Sequence, residues 1–266
     1  MLDADGEPAT GSGTITVKLD KADGTNVLAT GATDGSNPYT RSLPVASNLT
    51  LEQLVATWYV DGVARATTYI EVVGGYYFSI ATARDRDSSL NDAGGYTTAR
   101  LTEARRQVED YCERYTNVAW VPRWRQMRLN GSGTTALYLP DPLLRTVRAV
   151  RIYTSATAYT SLTTTELAAI PADDAGIATR TDGSVWPAGE ANIVIEYEHG
   201  HDRPPADLVN AAIVHLRLQV NETRAGYSAE PQVITDAVGN VIDVPSPWRT
   251  VLGTYKRYRV QTPGFA

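Results

Sequence analysis

Hydrophobic and polar positions along this chain follow two different periods, and the change falls near residue 96. In front of it the period is two. Residues 14–19 place Ile15, Val17 and Leu19 on one face, and the turn DKADG follows. Residues 54–60 alternate through Leu54, Ala56, Trp58 and Val60, then Asp61-Gly62 supplies a two-residue turn that tolerates positive φ, and residues 63–73 continue as the returning strand. After Gly74-Gly75, residues 76–81 read as one more strand. Short strands separated by turn signals predict a small β-sandwich over residues 1–82, with no helix in it.

Residues 83–96 (ARDRDSSLNDAGGY) are polar and aperiodic, which predicts a linker or one short helical turn and puts the domain boundary there. From Thr98 the period becomes helical. Leu101, Ala104, Val108, Tyr111, Cys112 and Tyr115 form one apolar face, with Thr97 or Thr98 as cap. Opposite them fall Arg100, Glu103, Arg106, Glu109, Asp110, Glu113 and Arg114, a mixed-charge face of the kind that meets solvent or a partner.

Strands return at residues 134–139 and 146–153, with prolines in PDPLL at the corner between them. Residues 163–170 predict a short helix opened by a Thr163–Glu166 capping box, residues 176–180 lead to a turn at Asp182-Gly183, and residues 192–197 close a small sheet. A second long helix follows EYEHGHDRPPADL, with Leu208, Ala212, Leu216 and Val220 spaced by four and an end near Arg224 and Gly226. Residues 225–247 are irregular, and residues 248–260 predict a last helix carrying Arg249, Lys256, Arg257 and Arg259.

Composition adds three limits. A length of 266 residues suits two domains, and 42% hydrophobic with 20% charged residues is globular rather than disordered. Residues 1–95 hold 12 acidic against 6 basic side chains, whereas residues 96–266 hold 18 of each, so the whole net charge of −6 lies in the front third. That balance argues against tight binding of nucleic acid, which rests on cationic neutralisation of phosphates. The lone Cys112 excludes an intrachain disulfide framework and, on an apolar helix face, behaves as a small hydrophobe. The opening MLDADGEP has neither a basic nor an apolar leader pattern, and the uncharged stretch 72–83 is too short and polar to span a bilayer, so a soluble, unsecreted protein without membrane contact is expected.

Candidate reactive groups each have a duller reading. His199 and His201, with Glu196 and Glu198, have the residue types of a metal site, but they lie at a strand-to-helix junction where polar residues are expected anyway. The NGSG run at 130–133 lacks the lysine and following helix of a phosphate loop. Glu109-Asp110 and Asp173-Asp174 are adjacent in sequence and therefore point apart. No GxSxG is present. The segment VAWVPRWRQMR interleaves Trp120 and Trp124 with Arg123, Arg125 and Arg128; it reads first as a strand whose tryptophans pack and whose arginines pair with acidic neighbours, and second as a stacking surface for single-stranded nucleic acid. The residues predict no enzyme, no metal and no cofactor.

In their order, the phrases YTTARLTEARRQVEDYCERYTNVAWVPR, LNGSGTTALYLPDPLLRTVRAVRIY and GIATRTDGSVWPAGEANIVIEYEHGHDRPPADLVNAA, preceded by VVGGYYFSIATARDRD, resemble the head-to-tail adaptor (head completion) proteins of long-tailed bacteriophages, particularly those of actinobacterial hosts. The matching stretch runs over about residues 71–215. The resemblance implies an α+β chain: an accessory β-sandwich domain (1–82), a linker (83–96), and a helical-bundle adaptor domain (97–266) with an inserted small β-sheet and a C-terminal arm from about residue 225. It implies a dodecameric ring of this chain in the virion neck, between the portal protein and the head-tail stopper, with double-stranded DNA passing through and not bound by sequence. Candidate ring contacts are Arg105, Arg106, Glu109 and Glu113. Candidate portal-docking residues are Trp248, Arg249, Lys256, Tyr258 and Arg259. A carbohydrate-binding or adhesin module presenting Trp58 and Tyr59 is the alternative reading of the front domain.

Overall fold

The computed structural model describes residues 14–21, 24–33, 50–92, 94–225, 234–235, 241–242 and 247–260. Its front portion is a four-stranded antiparallel sheet of β1 (Ile15–Lys21), β2 (Asn26–Ala32), β3 (Glu52–Val60) and β4 (Val63–Val72), in the order β2-β1-β3-β4. The β3–β4 hairpin turns at Asp61 and Gly62, whose φ values of 50° and 79° are the two positive angles a tight two-residue turn requires. Val17, Leu19, Leu54 and Ala56 form the core of this sheet. The sequence pattern predicts a sandwich; the described residues form a single sheet.

The strand expected at residues 76–81 is corrected. Tyr77 and Phe78 are both buried, and adjacent residues of a strand cannot enter the same face. They sit instead in a bent, irregular strap, residues 74–79, that plugs the helical core. Ser79 then caps α1 (Ile80–Arg86), its hydroxyl accepting the Thr82 N–H at 2.9 Å.

The polar stretch that follows α1 is also structured. A 3-10 turn (Ser88–Asn91) carries Leu90 into the core, the Asp87 carboxylate accepts the Ser89 N–H at 3.1 Å, and the Asp92 carboxylate accepts from Gly94 and Gly95, each at 3.1 Å. Polar side chains read as linker are serving as caps.

The helical core is made by α2 (Thr98–Thr116), α4 (Ala206–Ala225) and α5 (Pro247–Arg257). Thr97 caps α2, and Asn117 ends it in the left-handed region at φ 56°. Leu101, Ala104, Val108 and Cys112 meet Leu208, Ala212, Leu216 and Val220 of α4, and Val251 and Tyr255 of α5.

Between α2 and α4 the chain inserts a second four-stranded sheet: β5 (Arg123–Gly131), β7 (Leu144–Tyr153), β8 (Tyr159–Ser161) and β10 (Gly189–His199), ordered β5-β10-β7-β8. A two-stranded ladder of β6 (Ala136–Tyr138) with β9 (Ile177–Thr179) and the short α3 (Thr164–Ala168) lie beside it, α3 opening with the expected Thr163–Glu166 capping box. Ile193, Ile195 and Tyr197 of β10 share a core with Leu144, Val147 and Val150 of β7 and with the fully buried Trp186, whose indole N–H donates to the Ala178 carbonyl at 3.0 Å. Two-residue strands β11 (Ile234–Thr235) and β12 (Val241–Ile242) pair before α5. Most of the irregular region predicted at 225–247 lies outside the described residues.

Candidate functional site: the two faces of the long helix and the docked C-terminal helix

Helix α2 has two charged faces rather than one. The outer face is exposed and self-paired: Arg106 meets Glu103 at 3.0 Å with side chains 76% and 51% exposed, and Arg114 meets Asp110 at 2.9 Å with 73% and 63%. Such pairs contribute only tenths of a kcal/mol each, so they remain available to a partner.

The inner face is covered by the strap. Arg105 and Glu109 are buried at 7% and 4% exposure. The Arg105 guanidinium lies 3.7 Å from the Tyr76 ring centroid and donates to the Phe78 carbonyl at 3.1 Å, while the Glu109 carboxylate accepts the Tyr77 N–H at 2.9 Å. Burial pushes Glu109 up to about 7, against the opposing pull of the Tyr77 N–H and of Arg105. Glu113 accepts two bonds from Arg123, at 2.9 and 3.2 Å, and burial raises its carboxyl as well.

Of the four candidate ring contacts, Arg105, Glu109 and Glu113 are therefore committed to partners inside the chain, and Arg106 presents an exposed side chain. The helical period alone places Glu109 and Glu113 on a solvated face. The strap that covers that side of α2 comes from more than twenty residues upstream, so its presence is not visible in the local pattern.

The C-terminal candidates divide in the same way. Trp248 packs across His215 at 4.6 Å between ring centroids, and Tyr258 donates to Asp207 at 2.6 Å while standing edge-on to Trp120 at 5.3 Å. The neighbouring Val260 N–H reaches the Thr116 carbonyl at 2.9 Å, and Asn117 donates to the Val260 carbonyl at 3.2 Å. These contacts hold α5 and the residues just after it against α2 and α4. Arg249, Lys256 and Arg259 stay exposed. Within the stretch expected as an arm, α5 (Pro247–Arg257) and the three residues after it are docked, and most of the remainder lies outside the described residues.

The basic aromatic segment follows its first reading at Trp120, Arg123 and Arg125, but not at Trp124, which is half-buried beside a cleft, or at Arg128. Trp120 is buried, its indole donating to Thr116 at 3.0 Å; Arg123 bridges Glu113 and Glu71; Arg125 binds both oxygens of Asp141 at 2.7 and 2.8 Å. Arg128 lies over the Tyr153 ring at 4.7 Å.

The histidines diverge. His199 Nε2 is 3.9 Å from Asp141, whereas His201 stacks on Trp120 at 4.7 Å and 10°. Glu196 and Glu198 pair with Arg151 and Arg148. Burial lowers the affinity of both histidines for a proton. Among the described residues no three His, Cys, Asp or Glu side chains are gathered as metal ligands, and no helix is long and apolar enough to cross a membrane. In the front sheet Trp58 packs against the local core.

Comparison with known proteins gives solved structures only. No family model and no curated protein matches the chain. A chain in the neck of an empty gene transfer agent (GTA) particle, computed with C6 symmetry, is similar over 71% of this chain and 93% of its own, at 16% identity and a TM-score of 0.46. A chain in the neck of the native GTA particle, computed with C12 symmetry, is similar over 73% and 98%, at 15% identity and a TM-score of 0.45. One in the virion of the native particle covers 71% and 93%, at 15% identity and a TM-score of 0.43.

Proposed function

We propose that this chain is a structural protein of a phage-type virion neck, forming a closed ring of twelve copies that joins the portal protein to the head-tail stopper and extends the DNA channel. The observation that carries this reading is that the phrases resembling head-to-tail adaptors, about residues 71–215, build a helical core and an inserted-sheet core tied together by Arg123 to Glu113, by the His201 N–H to the Ala119 carbonyl and by the stacking of Trp120 on His201. The strap, α2, the inserted sheet and most of α4 share or adjoin two cores. A resemblance scattered over unrelated elements would not do so.

Two exposed features supply contact surfaces. Self-paired charges on the outer face of α2, centred on Arg106 and Arg114, can exchange partners with the next copy at small cost, as a repeated ring contact requires. The exposed basic residues Arg249 and Lys256 of α5, with Arg259 just after it, form the surface proposed to meet the portal. DNA passes through without base-specific contact, and the zero net charge of residues 96–266 offers no cationic excess to hold it. The work is mechanical, with no catalysed reaction, and assembly takes place in the host cytoplasm.

Electron microscopy of particles carrying a labelled copy of this chain tests the proposal. Label at the junction of head and tail is the expected result. Label on a tail fibre, or particles lacking the chain, would overturn it.

A further inference from the structure

The front sheet and the rest of the chain have separate cores. None of Val17, Leu19, Leu54 and Ala56 belongs to the clusters around α2 or β10. Strand β3 approaches β5, and Gly74 lies against the Pro122 ring; the side-chain links described between the two parts are polar. Arg123 bridges Glu71 of β4, at 3.4 Å, and Glu113 of α2, at 2.9 Å. Arg148 of β7 donates to the Leu51 carbonyl just before β3 and lies 3.5 Å from Glu198. The Gly74 N–H donates to the Pro122 carbonyl at 2.8 Å.

The chain crosses this junction through Gly74-Gly75. A β-carbon on Gly74 would lie 2.7 Å from Pro122, so the close approach needs glycine, while one on Gly75 would meet nothing within 4 Å. A polar cleft opens beside the crossing, with Gln53 and Glu71 on one wall and Glu113, Arg123, Trp124 and Gln126 on the other. Two bodies joined by a small polar interface move relative to one another unless something holds them.

We propose that Arg123 and Arg148 form a clasp that holds the front sheet in one pose against the body, and that opening the clasp lets the sheet swing about Gly74-Gly75. The device gives the sheet two positions, docked and released, with the half-buried Trp124 uncovered in the second. It does not depend on where in a particle the chain resides. The two arginines are suited to the task because each also holds a carboxylate of the body, Glu113 or Glu198, so the pin stays in place when the front sheet lets go.

The test is a distance measurement by paired spin labels on the full chain, at the exposed positions Thr67→Cys and Thr160→Cys. Native Cys112 is fully buried, with its thiol pushed up to about 12 by burial, and does not compete for label. The clasp is opened by Glu71→Gln with Arg148→Gln. Glu71→Gln leaves the half-buried Arg123–Glu113 pair intact and spares the fold, which far-ultraviolet circular dichroism checks; Glu71→Gln alone serves if the double variant unfolds. One narrow distance population is expected for the parent chain at low salt, and a second, longer-distance population for the opened variant. A parent chain that already shows both populations overturns the clasp, as does an opened variant that keeps the single narrow one.

Discussion

The Glu109 carboxylate receives the backbone N–H of Tyr77 at 2.9 Å, and with that bond a buried acid on the long helix holds the strap leading in from the front sheet. Because burial lifts Glu109 from the ordinary carboxylate range to about 7, the folded chain binds a proton there at pH values where the unfolded chain has released it. The contribution is therefore largest at acidic pH and is lost as pH rises through 7. Chemical denaturation of the parent chain and of Glu109→Gln at pH 8 and pH 6 checks this. On moving to pH 6 the parent should gain about 1 kcal/mol relative to the variant. No relative gain would contradict the assignment.

Arg105 and Arg106 are neighbours in sequence with opposite duties. Arg105→Ala leaves Glu109 buried without its cation and the Phe78 carbonyl without a donor, and should cost about 2–4 kcal/mol in denaturant unfolding. Arg106→Glu touches only an exposed pair and should shift stability by less than about 0.5 kcal/mol while reducing incorporation into particles. Equal effects of the two changes on stability would refute the division of the helix into inner and outer faces.

His215 sits against Trp248 and Tyr255, its Nδ1 3.2 Å from the tyrosine oxygen, and burial drops its pKa to about 4. A histidine that stays neutral in the folded state opposes protonation. Its contribution is present above about pH 6.5 and is lost as pH falls from there toward 4. Between pH 7 and pH 5 the parent should lose about 2 kcal/mol relative to His215→Phe, read from unfolding curves. Equal pH dependence in the two chains would show that the helix docks independently of this ring.

Trp186 is wholly enclosed in the inserted sheet's core, with Arg180 5.7 Å from its ring. Trp186→Ala should cost about 3–5 kcal/mol, from lost burial and the cavity left behind. A loss under about 1 kcal/mol in calorimetry would mean that the sheet is not packed around this side chain.

Periodic elements were legible in the residues, and features that depend on distant chain were not. The β3–β4 hairpin with its Asp61-Gly62 turn, the apolar face of α2, the fourfold spacing of α4 and the Thr163–Glu166 box each follow from residues within a few positions of one another. Glu109 was misplaced because its cover, Tyr77, lies 32 residues away. Residues 76–81 resembled a strand because aromatic side chains favour extended backbone, and only the adjacency of two buried ones signals a plug instead. Trp186, in a glycine- and proline-rich stretch without periodicity, gave no sign of being a core residue. The exposed basic positions of α5 were legible as charge, whereas its docking through Trp248 and Tyr258 depends on α4 and on Trp120.

A reconstruction of the neck of intact particles, at a resolution that separates strands, tests the central claim most directly. The account predicts a ring of twelve copies of this fold around the DNA path, with the Arg106 face of one α2 against the next copy and α5 toward the portal. A neck built without this fold, or the fold found as isolated molecules elsewhere on the particle, would contradict it.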